Sequence, residues 1–135
     1  MDQLINVLVI DDDEINNFLC SKVIKLSGFS DRVATCQSAD EGLNLLKNNL
    51  DSDPDNIPDL IFLDINMPLK NGWDFLVDFE SIAEKIQKTI KIFMLSSSVY
   101  KDDISKAKDS PHVTDYVTKP LTEEILSKIK TEHYS

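Results

Sequence analysis

The sequence predicts a doubly wound α/β fold, in which helices cover both faces of a five-stranded parallel sheet. Five short apolar runs alternate along the chain with segments of helical periodicity, and this alternation is typical of βαβ units. Three of the runs contain almost no polar residue, as expected of parallel strands that are buried on both faces. The same three runs end abruptly in carboxylates or hydroxyls.

These patterns place the strands and the first helix along the chain. The strands are expected near Ile5–Ile10, Arg32–Cys36, Asp59–Leu63, Ile90–Leu95 and Thr114–Thr118. The helix after the first strand is expected to bury an apolar stripe at helical spacing: Ile15, Phe18, Leu19, Val23 and Leu26. Gly28 is the expected end of that helix, because glycine commonly follows a helix C-terminus.

The other helices are placed in the same way. The second helix opens at Ser38 with a capping box that Glu41 completes. The buried stripes of the second and third helices are expected to be Leu43, Leu46 and Leu50, and Trp73, Leu76, Phe79, Ala83 and Ile86. The fourth helix has a thin apolar stripe, Ile104 and Ala107, and is expected to be short. Thr122 is the expected cap of the fifth.

The length of 135 residues is typical of a single domain, so we expect one domain over residues 1–135. Because very few residues follow the last predicted helix, no separate output domain is expected. The formal net charge of −10 argues against nucleic-acid binding, which depends on Lys and Arg. No apolar run approaches the roughly 18 residues of a membrane span, and the N-terminus lacks signal-peptide features, so we expect a cytoplasmic protein without membrane contact. Cys20 and Cys36 match no metal-ligand spacing and are expected to be reduced and buried.

Polar residues follow the predicted strands. Asp11 and Asp12 follow the first strand, Asp64 the third, Ser96 the fourth and Lys119 the fifth. The carboxyl ends of parallel strands share one edge of the sheet, which is where open α/β sheets bind ligands. Acids, a hydroxyl and one lysine at that edge indicate a divalent metal ion and a phosphoryl group.

These motifs resemble the receiver domain of two-component response regulators, of the chemotaxis-regulator type. The resemblance runs from about Asn6 to Ile129 and joins an acidic pair after the first strand, D-x-N-M-P after the third, a hydroxyl after the fourth and K-P after the fifth. It implies the flavodoxin-like strand order 2-1-3-4-5, for which a protein of this family is a standard example.

The resemblance implies a role for each acid. Asp64 would accept the phosphoryl group. Mg²⁺ would be held by Asp12 directly, by Asp11 mainly through water, by Asp64 and by the backbone carbonyl of Asn66. Asp13 is expected to cap the first helix, and a metal role for it is the alternative.

The resemblance also implies a switch. Lys119 would pair with Asp64 before phosphorylation and with the phosphoryl group afterwards, and a cis bond between Lys119 and Pro120 would bring the lysine over the site. The hydroxyl of Ser96, with Ser97 as the neighbouring alternative, would move toward the phosphoryl group, and the ring of Tyr116 would turn inward. Asn66 and Ser98 would flank the path of the water that removes the phosphoryl group.

The implied function is that of a stand-alone response regulator. It would take a phosphoryl group from a sensor histidine kinase or a phosphotransfer protein and then bind an output protein, whose identity the sequence leaves unknown. A phosphorelay intermediate or a phosphate sink would carry the same residues. No enzyme activity is expected beyond self-catalysed phosphotransfer and autodephosphorylation, and we expect a monomer, with dimerisation on phosphorylation left open.

A phosphohydrolase of the haloacid dehalogenase type is the alternative from another class. Its strand-then-D-x-D-x-T/V signature is approached by Asp11-Asp12-Asp13-Glu14-Ile15. Against it, Ile15 occupies the T/V place, no late acidic pair follows, and Asp64 would have no role.

Overall fold

A computed structural model describes residues 5–97 and 101–134 as a five-stranded parallel sheet flanked by helices. Ser98 therefore lies outside the described residues. The strands are β1 Asn6–Ile10, β2 Arg32–Cys36, β3 Leu60–Asp64, β4 Lys91–Ser96 and β5 Val113–Thr118. Their order is β2-β1-β3-β4-β5 and every neighbouring pair is parallel, which confirms the predicted flavodoxin-like order.

In the described residues, four α-helices connect the strands and a fifth follows the last strand. They are α1 Glu14–Leu26, α2 Ala39–Ser52, α3 Gly72–Ala83, α4 Lys101–Asp109 and α5 Glu123–His133, and a 3₁₀ turn, Pro54–Asn56, follows α2. The predicted strand bounds are correct to about one residue, with Asp64 and Ser96 as the last residues of their strands. As described, α4 has nine residues and is short, as predicted.

Helix caps largely follow the prediction. The side chains of Asp13, Ser38 and Thr122 accept bonds from backbone N–H groups in the first turns of α1, α2 and α5. The second half of the predicted capping box is displaced, because the Glu41 carboxylate accepts from the N–H of Gln37 rather than from that of Ser38. Gly28 follows α1 with a φ of 79°, a left-handed conformation that glycine adopts without steric cost.

Two apolar clusters lie on opposite faces of the sheet because strand side chains alternate in direction. Leu8 and Ile10 of β1 pack in a cluster with α2, α3 and Ala107 of α4. Val7 and Val9 pack in the other cluster, with α1 and α5. Most residues of β1, β3 and β4 are fully buried, as expected of strands covered on both faces.

Helix α1 contradicts the predicted burial. Its periodicity is helical, but four residues of the predicted stripe are exposed, by 70% for Ile15, 63% for Phe18, 54% for Leu19 and 77% for Leu26, whereas Val23 is partly buried against the core. The buried face consists of Asn17, Cys20 and Ile24. This side of the helix combines the apolar contacts of Cys20 and Ile24 with hydrogen bonds from Asn17, which are described below.

Helices α3 and α4 are linked by a contact between a cation and an aromatic ring. The Nζ of Lys106 in α4 lies 5.2 Å from the centroid of the Trp73 ring in α3. Among the described side chains of α4, Ala107 is the apolar one that is fully buried. Helix α4 therefore rests on a smaller apolar contact than α3, which buries Phe75, Leu76, Phe79 and Ile82.

In the described part of the chain, no helix is both long enough and apolar enough to cross a membrane.

The start of α3 packs closely on the end of β3. A Cβ added to Gly72 would lie 2.8 Å from the backbone oxygen of Asp64, 2.9 Å from Met94 Cε and 3.1 Å from the Cα of Ile65. Only a residue without a Cβ lets the helix approach the backbone of Asp64 this closely.

We expect Gly72→Ala to lower the free energy of unfolding by about 1–3 kcal/mol, because backbone atoms must move to admit the methyl group. Gly42→Ala is the matched control, since the atom nearest its added Cβ, at 2.5 Å, is the Cδ1 end of the Ile10 side chain, which can rotate. Urea denaturation of both variants measures the difference. A larger loss for Gly42→Ala than for Gly72→Ala would contradict the prediction.

Candidate functional site

Four of the predicted site residues meet at the carboxyl edge of the sheet. The Nζ of Lys119 lies 2.7 Å from Asp11 Oδ2 and 3.2 Å from Asp64 Oδ1. One carboxylate oxygen from each of Asp11, Asp12 and Asp64 lies within 4.8 Å of the others. Asp11 and Asp64 are buried, whereas Asp12 is exposed and leaves the cluster open to solvent.

Backbone hydrogen bonds set the positions of the two buried acids. Asp11 follows β1, and its N–H donates to the carbonyl of Cys36 at the end of β2, at 3.0 Å. Asp64 ends β3 opposite Leu95 of β4, and the N–H of the next residue, Ile65, donates to the Leu95 carbonyl at 3.1 Å. Both carboxylates are thus attached to the rigid end of the sheet rather than to a free loop.

The charges of the cluster shift the pKa values of its members. Burial, followed by the charge of Asp11, raises the pKa of the Asp64 carboxyl to about 7. Burial alone would lower the pKa of the Lys119 amine, but its bonds to Asp11 and Asp64 outweigh burial and raise that pKa above its ordinary value. Lys119 is therefore charged at neutral pH. The positive charge of Lys119 does not fully offset the effects of burial and of Asp11 on the Asp64 carboxylate.

The donor set fits a small divalent cation. Mg²⁺ binds oxygen ligands and is usually held by one or two carboxylates with waters completing its shell. The cluster supplies carboxylates from Asp11, Asp12 and Asp64, and the exposed residue Asn66 follows Asp64 by two positions. The raised pKa of Asp64 is a sign of excess negative charge, which a cation at this place would relieve.

The predicted switch residues lie on β4 and β5. Ser96 is fully buried at the end of β4, and its carbonyl accepts from the N–H of Lys119 at 2.8 Å, whereas Ser97 is exposed. Tyr116 of β5 is half-buried against the cluster that contains α3 and α4. The Lys119–Pro120 peptide bond is cis, as predicted.

A family model described as the response regulator receiver domain matches residues 7–130. The chain belongs to the response regulator receiver family. Receiver domains are signalling modules of two-component systems, and the match covers all five strands and most of α5.

Individual relatives agree with this assignment. The receiver is 32% identical over 123 residues to the sensor histidine kinase CheAY of Helicobacter pylori, an alignment that covers 91% of this chain but only 14% of that relative. A two-component response regulator from Cytophaga hutchinsonii superposes with a TM-score of 0.87 at 32% identity, covering 96% of this chain and 97% of the other. A response regulator receiver protein from Dyadobacter fermentans superposes with a TM-score of 0.79 at 29% identity, and the superposition covers 96% of this chain and 98% of the other.

Sequence analysis missed two asparagines of this receiver. The side-chain amide of Asn16 donates to Asp11 Oδ2 at 2.6 Å. The amide of Asn17, which is buried, donates to the carbonyls of Asp11 at 2.9 Å and Cys36 at 3.2 Å. The available signal is a pair of adjacent polar residues near the start of a helix, but these positions lie off the predicted apolar stripe, so nothing in the sequence indicated a contact with the sheet.

The two cysteines of the receiver are free and buried, as predicted. Burial raises the pKa of Cys20 to about 11 and that of Cys36 to about 12, so both remain thiols at neutral pH.

Proposed function

We propose that this receiver accepts a phosphoryl group on Asp64 from a phosphohistidine of a sensor histidine kinase or a phosphotransfer protein, and that it signals through protein–protein contacts. The observation that carries the proposal is the meeting of the Asp64 carboxylate with Asp11, Asp12 and Lys119 at one sheet edge. Membership of the receiver family supports the same reading over the phosphohydrolase alternative.

In the proposed reaction, a carboxylate oxygen of Asp64 attacks the phosphorus of the phosphohistidine. The new O–P bond forms as the P–N bond breaks, and the electron pair of that bond stays on the imidazole nitrogen, which a proton then neutralises. The product is an acyl phosphate on Asp64. Because Asp64 is fixed at the end of β3, its carboxylate is oriented before the donor arrives, which reduces the entropic cost of the reaction.

Asp11, Asp12, Asp64 and the backbone carbonyl of Asn66 would hold Mg²⁺ in this reaction. When bound, the ion offsets the charge of the carboxylates and of the phosphoryl oxygens. Lys119 supplies a second positive charge, because its Nζ lies 3.2 Å from Asp64 Oδ1 and could pair with an oxygen of a phosphoryl group on Asp64. The acyl phosphate would be hydrolysed when a water molecule attacks the phosphorus, and Asn66 and Ser98 would flank the path of that water.

We place the output face on α4, β5 and α5. The hydroxyl of Ser96 would bond to the phosphoryl group, and Tyr116 would turn into the space that this movement leaves. Helix α4 is the element that such a change would move most easily, because Ala107 is its buried apolar anchor among the described side chains. An output protein would read the new arrangement.

The outward stripe of α1 supports a protein as the phosphoryl donor. The helix begins next to Asp11 and Asp12, and Ile15, Phe18 and Leu19 are each more than half exposed. Large contiguous apolar surface on a soluble domain usually marks an interaction site. A donor helix packed on this stripe would bring its phosphohistidine to the acidic cluster, and we place both proteins in the cytoplasm.

The decisive experiment is incubation of the full chain with Mg²⁺ and a labelled small phosphodonor such as acetyl phosphate. We expect about one phosphoryl group per chain, attached to Asp64, and no label on an Asp64→Asn variant. Asp31→Asn is the matched control, because Asp31 is an exposed acid before β2, at the opposite end of the sheet, and should retain full labelling.

Two outcomes would contradict the proposal. Label that persists on Asp64→Asn would place the acceptor elsewhere. Sustained release of phosphate through Asp11, without a phosphorylated Asp64, would indicate a phosphohydrolase. A phosphorelay intermediate and a phosphate sink share the labelling result with a terminal regulator; onward transfer to a second phosphotransfer protein identifies the relay.

A further inference from the structure

The buried Asp11 carboxylate accepts hydrogen bonds from three different donors. Its Oδ1 accepts from the N–H of Asp13 at 2.9 Å. Its Oδ2 accepts from the Asn16 amide at 2.6 Å and from the Lys119 amine at 2.7 Å. A carboxylate offers about four acceptor positions, so these three bonds leave Asp11 with little freedom to rotate.

The same helical turn also fixes the backbone of Asp11. Asn17 donates to the carbonyls of Asp11 and Cys36, and so joins the ends of β1 and β2 to the first turn of α1. Asn16 and Asn17 together hold one residue from two sides, the first through its carboxylate and the second through its main chain. Both are neutral, so they orient Asp11 without cancelling its charge.

The Asn16 bond is not part of the helix cap. A helix N-terminus needs acceptors for its free N–H groups, and in α1 the Asp13 side chain supplies one for Ile15 and Asn16. The Asn16 side chain acts here as a donor through its NH₂ group, which cannot serve that need. Its short contact, 2.6 Å, is with the buried acid Asp11 of the site, whereas its contact within the helix, with Cys20 Sγ, is longer at 3.7 Å.

We propose that Asn16 is a positioning residue for the metal site. Its side-chain amide holds the Asp11 carboxylate in one orientation by donating to Asp11 Oδ2, the oxygen that also accepts from Lys119. This inference rests on the proposed function. Lys119 serves both Asp11 and Asp64 in the structure, and in the proposed reaction it turns toward the phosphoryl group. Asn16 then remains as the side-chain donor on Asp11 Oδ2, so that the carboxylate stays oriented when Lys119 leaves it.

The test compares Mg²⁺ binding by the wild type and by Asn16→Ala, measured by calorimetry on the full chain. Removing a hydrogen-bond partner of a direct metal ligand typically costs about tenfold or more in metal affinity, and because Asp11 would hold the ion mainly through water, we expect a smaller loss, on the order of three- to tenfold. Asn44→Ala is the matched control, because Asn44 is an exposed asparagine within α2. Its Mg²⁺ affinity should equal that of the wild type.

Thermal unfolding without metal separates positioning from stability. We expect Asn16→Ala and Asn44→Ala to unfold at similar temperatures, and Asn16→Gln, which keeps the amide, to recover part of the lost affinity. An Mg²⁺ affinity of Asn16→Ala within twofold of the wild type would overturn the inference, as would an equal loss in Asn44→Ala. If the wild type binds Mg²⁺ but takes up no phosphoryl label, the proposed function fails, while the Mg²⁺ comparison still decides the role of Asn16.

Discussion

Replacing Asp12 by Ala is expected to weaken Mg²⁺ binding by well over tenfold and to abolish phosphorylation from a small phosphodonor. Asp12 is the exposed member of the three-carboxylate cluster, so it is the acid that a hydrated ion meets first. Asp11 already accepts from Asp13, Asn16 and Lys119, and Asp64 is paired with Lys119, whereas Asp12 contacts no cation among the described residues and faces solvent, so it is the acid best placed to bind the ion directly.

The matched control for this experiment is Asp13→Ala. Asp13 carries the same charge one residue further on, but its carboxylate accepts from the N–H groups of Ile15 and Asn16 as the cap of α1. Its loss should lower stability by about 1 kcal/mol and leave Mg²⁺ affinity within a few fold. A Mg²⁺ titration that is unchanged in Asp12→Ala, or equally weakened in both variants, would refute the assignment of Asp12 to the metal.

The second large effect is on stability. Without metal, Asp64→Asn is expected to be more stable than the wild type at pH 8, on the order of 4 kcal/mol, or roughly 15 °C in Tm. The folded-state pKa of Asp64, about 7, lies above its ordinary value of 3.8, because the carboxyl is buried beside Asp11. The charged form is therefore disfavoured in the folded protein, and an uncharged amide of the same shape removes that penalty.

The sign of the pH dependence follows from the same shift. Between about pH 4 and 7 the folded protein binds the Asp64 proton more readily than the unfolded chain does, so this group makes the metal-free protein less stable as pH rises through that interval. The advantage of Asp64→Asn should thus be largest above pH 7 and vanish near pH 4. Thermal melts of both proteins in chelator across this range measure it, and an advantage that is constant with pH would contradict the explanation.

Much of the fold was predictable because it depends on patterns that a short window of sequence contains. The apolar runs of β1, β3 and β4 end where the sequence predicts, and Asp64 and Ser96 stand at the strand ends because those runs stop there. The strand order came from the family resemblance and not from the residues themselves, since neighbours in a parallel sheet are far apart in sequence.

The orientation of α1 was not predictable from its periodicity. A helical repeat of apolar residues indicates that a helix forms, but which side faces the sheet depends on contacts with other segments. Here the inward side carries Cys20, Ile24 and the amide of Asn17, whose two acceptors are the carbonyls of Asp11, directly after β1, and of Cys36 in β2. For the same reason the Asn16–Asp11 bond was missed, because no spacing rule relates a helix amide to a carboxylate five positions earlier.

The contact between Lys106 and Trp73 makes Trp73 an intrinsic fluorescence probe of the position of α4 relative to α3. Trp73 is the only tryptophan in the chain, so the intrinsic fluorescence that it emits comes from a single known place. An ammonium group over an indole ring alters the energy and the quenching of its excited state, and here that ammonium belongs to α4. The movement of α4 that we propose would therefore change this fluorescence, and a stopped-flow instrument could follow it in unlabelled protein after a phosphodonor is mixed in.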